Sequence, residues 1–166
     1  MIPIRCKYSR VVPIHEVRPN PLNPNQHPDP QVVLLAKAIA FQGWRSPLVV
    51  SNRSGMIVKG HARLSAARIL DLPEVPIDEQ DYETEEQEIA DMIADNRLAE
   101  LAEIHPAKLK DLIEHLDTGG IDLDLTGYDQ NELENLMSQI HPGDDLLDPD
   151  PTNSFKCPEC GHEWTT

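Results

Sequence analysis

The sequence predicts an α+β protein: a body of short strands and packed helices over residues 8–105, a helical extension over 106–140, a linker over 141–154 and a small tail over 155–166. Three observations carry that reading. Short β-rich runs alternate with apolar stripes of helical spacing as far as about residue 105. Beyond it, the apolar residues keep only the helical period. Residues 141–154 then hold three prolines and four aspartates with no periodic stripe, the composition of a linker.

Taken in order, residues 11–17 read as a short strand. The run Pro19-Asn20-Pro21-Leu22-Asn23-Pro24-Asn25 follows as an ordered loop, because three prolines remove donors and fix φ. A helix is expected from Pro30 to Gln42, capped by Asp29, with Val32, Leu35, Ala36 and Ile39 as its stripe and Gly43 as its stop. Pro47–Val50 and Met56–Val58 are strands around a Ser54-Gly55 turn. Gly60 ends the second, and residues 61–70 form a helix. Val75–Ile77 is a third strand after this turn. Thr84-Glu85-Glu86-Gln87 has capping-box spacing and opens a long helix to about Glu103. Residues 106–116 and 129–140 are helices, with stripes Leu109, Leu112, Ile113, Leu116 and Leu133, Leu136, Met137, Ile140. Asp129 and Glu132 cap the last.

Composition bounds the function. Of 166 residues, 39% are hydrophobic and only 4% aromatic, so aliphatic side chains must fill the core. No apolar run approaches the roughly 20 residues of a membrane span, and Met1-Ile2-Pro3-Ile4-Arg5 does not resemble a signal peptide. Three cysteines do not make a disulfide framework. A reducing cytoplasm, with no membrane partner, is the expected setting. The net charge of −15 conceals an asymmetry. Residues 1–70 hold ten Lys/Arg against two Asp/Glu, a net of +8, whereas residues 71–166 hold four against 27, a net of −23. Such a split suggests a basic face for phosphates and an acidic face that repels them, although acidic helices also simply keep a protein soluble.

The best chemical signal is the strand–Gly–helix junction Lys59-Gly60-His61-Ala62-Arg63. A helix N-terminus presents unpaired N–H groups and a positive dipole end to an anion. Gly60 permits close backbone approach, Arg63 adds a charge-assisted fork, and Lys59 and His61 flank it. A glycine before a helix also serves merely as a tight turn. The second signal is Asp95-Asn96-Arg97, where Asn96 falls on the apolar face of Ile89, Met92 and Ile93. Asp95 and Asn96 together offer oxygens to Mg²⁺. An asparagine bonded to a neighbouring loop is the plainer alternative.

Six ordered pieces change the weight of these signals: Asn20-Pro21-Leu22-Asn23-Pro24, Leu35–Ile39, Gly43–Val50, Ile57–Ala67, Leu72–Pro76 and Ala94–Arg97. Together, over roughly residues 10–105, they resemble the ParB N-terminal (ParB/sulfiredoxin) family, and its small phage-associated members in particular. The resemblance implies a small mixed sheet with packed helices. It also implies that Gly60, His61 and Arg63 contact nucleotide phosphates, and that Asp95 and Asn96 correspond to the family's Glu-Asn pair for Mg²⁺ and nucleotide. Ala62 replaces one arginine of the family's turn, Ala99 another downstream, and Asn25 a third after Pro24. Sulfiredoxin chemistry is set aside, since no cysteine occurs in the stretch around the turn. A partition role is set aside because residues 106–140 hold only two lysines where a basic helix-turn-helix is needed.

The expected function is therefore that of a ParB-like nucleotide-binding protein, an NTPase or phosphotransferase with Mg²⁺, in phage or mobile-element DNA metabolism. Asp95 is its catalytic candidate. One alternative is a non-catalytic module that binds DNA or a protein partner, with Arg45 and Arg53 on its basic face. Another is a small-molecule, serine-type kinase of the same fold with Glu16 as base, beside His15. The tail, Cys157-Pro158-Glu159-Cys160-Gly161-His162, resembles half a zinc ribbon. Cys157 and Cys160 are the candidate Zn²⁺ ligands with His162 beside them, but a structural site needs four and the chain adds only the remote Cys6. An incomplete relic, a site completed by His162 and another group, and one shared between two chains of a homodimer are the alternatives.

Overall fold

The structure, a computed structural model, describes residues 2–139, 154–156 and 163–165. Strands β1 (Arg10–Pro13), β2 (Leu48–Ser51), β3 (Ile57–Lys59) and β4 (Glu74–Gln80) form one sheet in the order β1-β4-β2-β3. β4 runs antiparallel to β1 and parallel to β2, and β2 and β3 form an antiparallel hairpin. The small mixed sheet is thus present. Pro76 sits within central strand β4, where a missing N–H is normally excluded. Pairing with β2 begins only at Ile77, so at Pro76 the strand is still an edge on that side.

Helices α1 (Asp29–Gln42) and α2 (His61–Ile69) pack together and close the core over the sheet. Val32, Ala36 and Ile39 of α1 and Leu64, Ala66 and Ala67 of α2 meet Leu48, Ile57, Val75 and Ile77 in one buried cluster. Trp44, also buried, is its largest member. Each wholly buried aliphatic side chain contributes about 1.5–3 kcal/mol relative to exposure. The segment before β1 straps across this end: Trp44 N–H donates to the Pro3 carbonyl and Arg5 N–H to the Trp44 carbonyl, both at 2.9 Å. Gly43, at φ 79°, ends α1, and a Cβ there would collide with the Pro3 carbonyl oxygen.

Several expectations are corrected. The strand expected over residues 11–17 stops at Pro13, and residues 14–16 form a 3-10 turn. The cap of α1 is Pro28, so Asp29 lies inside the first turn and its carboxylate meets the helix dipole without capping it. Helix α3 (Glu85–Glu100) ends before Glu103. It packs against β3 with Glu88 and Met92 buried, whereas Ile93, expected inside, is 50% exposed. One narrow strip of α3 meets the sheet, and Ile93 lies off it. Thr84 does cap α3, its hydroxyl accepting from Gln87 N–H.

Helices α4 (Pro106–Leu116) and α5 (Gln130–Gln139) follow, with an unforeseen 3-10 turn over residues 123–126 between them. Ile113 is buried while Leu112 is 62% exposed, so the α4 stripe is narrower than its sequence suggests. Asp129 and Glu132 make the expected reciprocal cap of α5, at 2.9 and 2.8 Å. The 3-10 turn rests on α1, where Lys37 reaches Asp124 at 3.1 Å. Near the C-terminus β5 (Ser154–Lys156) pairs antiparallel with β6 (Glu163–Thr165), setting Phe155 opposite Trp164. Cys157, Cys160 and His162 lie outside the described residues, as does the segment expected to be a linker apart from Ser154. None of the described helices is long and apolar enough to cross a membrane.

Candidate functional site

β3 delivers the chain to Lys59, and Gly60 then turns it into α2 at φ 98°, ψ 26°. That left-handed conformation favours glycine, and a Cβ would stand 2.8 Å from Arg63 Nη1 and 3.1 Å from Leu48 Cδ2. The Gly60 carbonyl accepts from Leu64 N–H, and no side chain caps the helix. The N–H groups of residues 61–63 therefore open α2 without intrahelical acceptors.

The flanking residues divide the labour differently from the sequence reading. Arg63 folds back and donates from Nη1 to the Pro47 carbonyl at 2.8 Å, so one of its five donors is a tether. Burial works against its charge, while Asp95 and Cys6 favour it. His61 carries the first loop: its Nε2 accepts the Asn20 N–H at 3.2 Å, which fixes the neutral Nδ1–H tautomer. Burial first, then the charge of His27, pushes His61 below the ordinary histidine range. Asn20 itself is 5% exposed and accepts the Leu22 N–H at 2.9 Å, an Asx turn that seats the proline-rich loop against α2.

Lys59 reaches across to α3. Its Nζ lies 2.9 Å from Asp91 Oδ1 and 3.9 Å from Asp95 Oδ1. The packing of α3 on β3 thus brings together two sequence signals more than thirty residues apart. Tyr82, just after β4, donates to the other Asp91 oxygen at 2.8 Å. Burial raises the Asp91 carboxyl, but bonds from Lys59 and Tyr82 outweigh it and hold the group below its usual value. The Tyr82 phenol is pushed up by burial and then by its bond to Asp91. Asn96 does not join this group: its Nδ2 donates to the Met92 carbonyl at 3.1 Å, one turn back on α3.

Other candidates stand apart. Glu16 is exposed in the first 3-10 turn and lines a cavity of about 170 Å³ with Arg10, Arg18 and Glu79. Asn20, which touches His61, is four positions further along, a span of up to about 14 Å of extended chain. Arg45 and Arg53 lie beyond opposite ends of β2. Arg45 lines a cavity of about 200 Å³ with Trp44 and Arg63, whereas Arg53 shares one of about 340 Å³ with Asn20, Glu85 and Glu88. Sequence reasoning missed Glu88, which is 4% exposed and accepts from the Ser51 and Ser54 hydroxyls at 2.7 and 2.6 Å. An acid on the buried strip of α3, facing a serine-rich turn, was the available signal. Cys6, considered from sequence only as a remote thiol, lies within electrostatic reach of Arg63. Burial raises its thiol pKa, which disfavours the thiolate that sulfiredoxin-type chemistry requires. Among the described residues, no group of three or more His, Cys, Asp or Glu side chains is placed to hold a metal ion.

A family model described as the ParB N-terminal domain matches residues 5–96, and one described as the ParB-methyltransferase HTH domain matches residues 107–158. The second match spans residues that the sequence divides among a helical extension, a linker and the start of the tail. The ParB-like nuclease domain-containing protein YnaK of Escherichia coli (strain K12) is 34% identical over 65 residues, which make up 39% of this chain and 74% of that protein. Among solved structures, the C-terminally truncated chromosome-partitioning protein ParB from Caulobacter crescentus complexed with CTP-gamma-S is similar over 77% of this chain and 76% of that one. Its identity is 21% and its TM-score 0.61, a likeness of fold. The same protein complexed to the centromeric parS site gives 19% identity and a TM-score of 0.45, over 78% of this chain and 70% of that one, and carries no further argument.

Proposed function

The chain belongs to the ParB N-terminal domain family, and we propose that it binds the phosphates of a nucleoside triphosphate at the N-terminus of α2. One observation carries this reading: Lys59 Nζ stands 3.9 Å from Asp95 Oδ1, which joins the uncapped Gly60 turn to the acidic position of α3. The N–H groups of residues 61–63 supply geometry, and Lys59 and Arg63 supply charge. The complex of the Caulobacter crescentus ParB with CTP-gamma-S supports a nucleotide as the ligand class.

Mg²⁺ binds through one or two carboxylates plus phosphate oxygens and water. Asp95, partly exposed beside the turn, fits that requirement. Asn96 donates its Nδ2 to the Met92 carbonyl, so Oδ1 is the atom it could offer a metal. Bound Mg²⁺ would offset phosphate charge that Lys59 and Arg63 leave unmatched. Hydrolysis or phosphoryl transfer, with Asp95 as the catalytic candidate, and a setting in phage or mobile-element DNA metabolism complete the proposal. The kinase alternative is weaker, because Glu16 belongs to a different cavity.

Calorimetry with nucleotides, with and without Mg²⁺, tests the proposal. Arg63→Ala should remove a charge-assisted interaction of about 1.5–3 kcal/mol, a roughly ten- to hundredfold loss of affinity. Asp95→Ala should weaken binding only when Mg²⁺ is present. Unchanged affinity in Arg63→Ala would sink the site. A second reading, DNA binding, is favoured by the match of residues 107–158 to a helix-turn-helix domain. Salt-dependent binding to duplex, retained in Arg63→Ala, would support it.

A further inference from the structure

We propose that Asp91, steadied by Tyr82, is a positioning residue that holds the Lys59 ammonium at the phosphate turn. The proposal rests on the nucleotide-binding reading above and adds a residue outside both motifs that suggested it. Its ground is a three-group chain linking three elements: Tyr82 after β4 donates to Asp91 Oδ2 at 2.8 Å, and Asp91 Oδ1 takes Lys59 Nζ at 2.9 Å. Lys59 is the last residue of β3, immediately before Gly60.

A lysine is a compact charge on a flexible four-carbon stem, and unaided it wanders. Asp91 and Asp95 stand one helical turn apart on the same face of α3, and both are within reach of that stem. Lys59 lies a full ångström closer to Asp91, so its ammonium is held there while Asp95 is left with only a loose contact. Tyr82 aims the Asp91 carboxylate by occupying its second oxygen. The same carboxylate also repels an arriving phosphate. Asp91 therefore helps the anion only through Lys59, and hinders it when Lys59 is absent. This double role separates positioning from a merely structural bond.

The experiment is a double-mutant cycle on the full chain, with magnesium triphosphate nucleotide as the probe and calorimetry as the readout. With Lys59 present, Asp91→Asn should weaken binding about tenfold, on the scale of one charge-assisted contact. In the Lys59→Met background the same change should leave affinity unaltered or raise it. Lys59→Gln serves if Lys59→Met fails to fold. Loss of affinity in both backgrounds would make Asp91 a structural residue, and a gain in both would make it a plain electrostatic competitor; either overturns the proposal. In those cases Arg63-dependent binding would still uphold the nucleotide reading. A ligand-free arm is independent of that reading: the Lys59 side-chain NMR signals should sharpen toward free-lysine behaviour in Asp91→Asn and move in Tyr82→Phe. Signals unmoved by Asp91→Asn would overturn the proposal, whatever the protein binds.

Discussion

Gly60→Ala puts the α2 entry to its most direct test. At φ 98° an L-residue is in the left-handed region, which costs about 1–2 kcal/mol. The new Cβ would stand 2.8 Å from Arg63 Nη1 and 3.1 Å from Leu48 Cδ2. Leu48 is fully buried in a central strand and cannot yield. Arg63 can, but only by loosening its bond to the Pro47 carbonyl, an interaction worth about 1.5–3 kcal/mol when the donor is charged. Together the terms give a loss of about 2.5–5 kcal/mol, read as a lower urea midpoint with an unchanged slope. Gly60→Asn should recover the conformational part, because asparagine tolerates this region, but not the steric part. Nucleotide affinity should fall in both variants as the helix entry shifts. If Gly60→Ala changes stability by less than about 0.5 kcal/mol, the range of an ordinary surface substitution, the glycine is not needed for this turn.

Glu88→Ala should cost about 3–5 kcal/mol in chemical denaturation, since two short hydroxyl-to-carboxylate bonds tie the β2–β3 turn to α3; a loss below about 1 kcal/mol would show the bonds to be idle. His61 should titrate below the ordinary histidine range by NMR, because burial and then His27 disfavour its charged form. Since its folded pKa lies below the unfolded value near 6.5, its contribution is present above that pH and is lost as pH falls through the folded pKa. The His61→Gln protein should lose that acid sensitivity. Low-salt titration should show weak, sequence-nonspecific DNA binding, and Arg45→Glu and Arg53→Glu should each flatten the log–log salt slope by about 0.9 for every phosphate no longer neutralised; absence of binding to either single or double strands refutes it. Metal analysis of freshly purified protein should give close to one Zn²⁺ per chain, or one per two chains, abolished by removing residues 155–166. Metal-free native protein would leave the tail as a relic.

Where local chemistry is decisive, the sequence was enough. The turn at Gly60, the stop at Gly43, the Thr84 cap and the Asp129–Glu132 box each follow from two or three adjacent residues, and each stands where expected. What escaped depends on contacts between distant segments. Which face of α3 meets β3 is set by packing, and that packing buries Glu88 and leaves Ile93 outside. The role of His61 depends on Asn20, 41 residues earlier, delivering an N–H to its ring. Lys59 looked like a free cation until Asp91 was brought within 2.9 Å. Helical spacing puts Asp91 and Asp95 on one face, but nothing local in the sequence says that this face looks onto β3.

Charge decides how much of a DNA-binding role the helix-turn-helix match can support. Residues 106–140 carry two lysines against eight acids, and α5 holds two glutamates and no lysine or arginine. A helix that enters a groove draws its affinity largely from phosphate contacts, and its own residues here would subtract from them. Any duplex must therefore lean on residues 1–70. There, Arg10, Lys37 and Lys59 already sit against Glu79, Asp124 and Asp91. Arg5, Lys7, Arg45, Arg53 and Arg68 make no ion pair among the described residues. Arg45 shares its cavity with Arg63, whereas Arg53 lies beyond the other end of β2 beside Glu85. If nucleotide and DNA both bind, they draw on neighbouring charges at the Arg45 end of the sheet. Arg45→Glu should then weaken both ligands, while Arg53→Glu should weaken DNA alone. Equal effects of Arg53→Glu on both ligands would mean that the two binding surfaces are not arranged in this way.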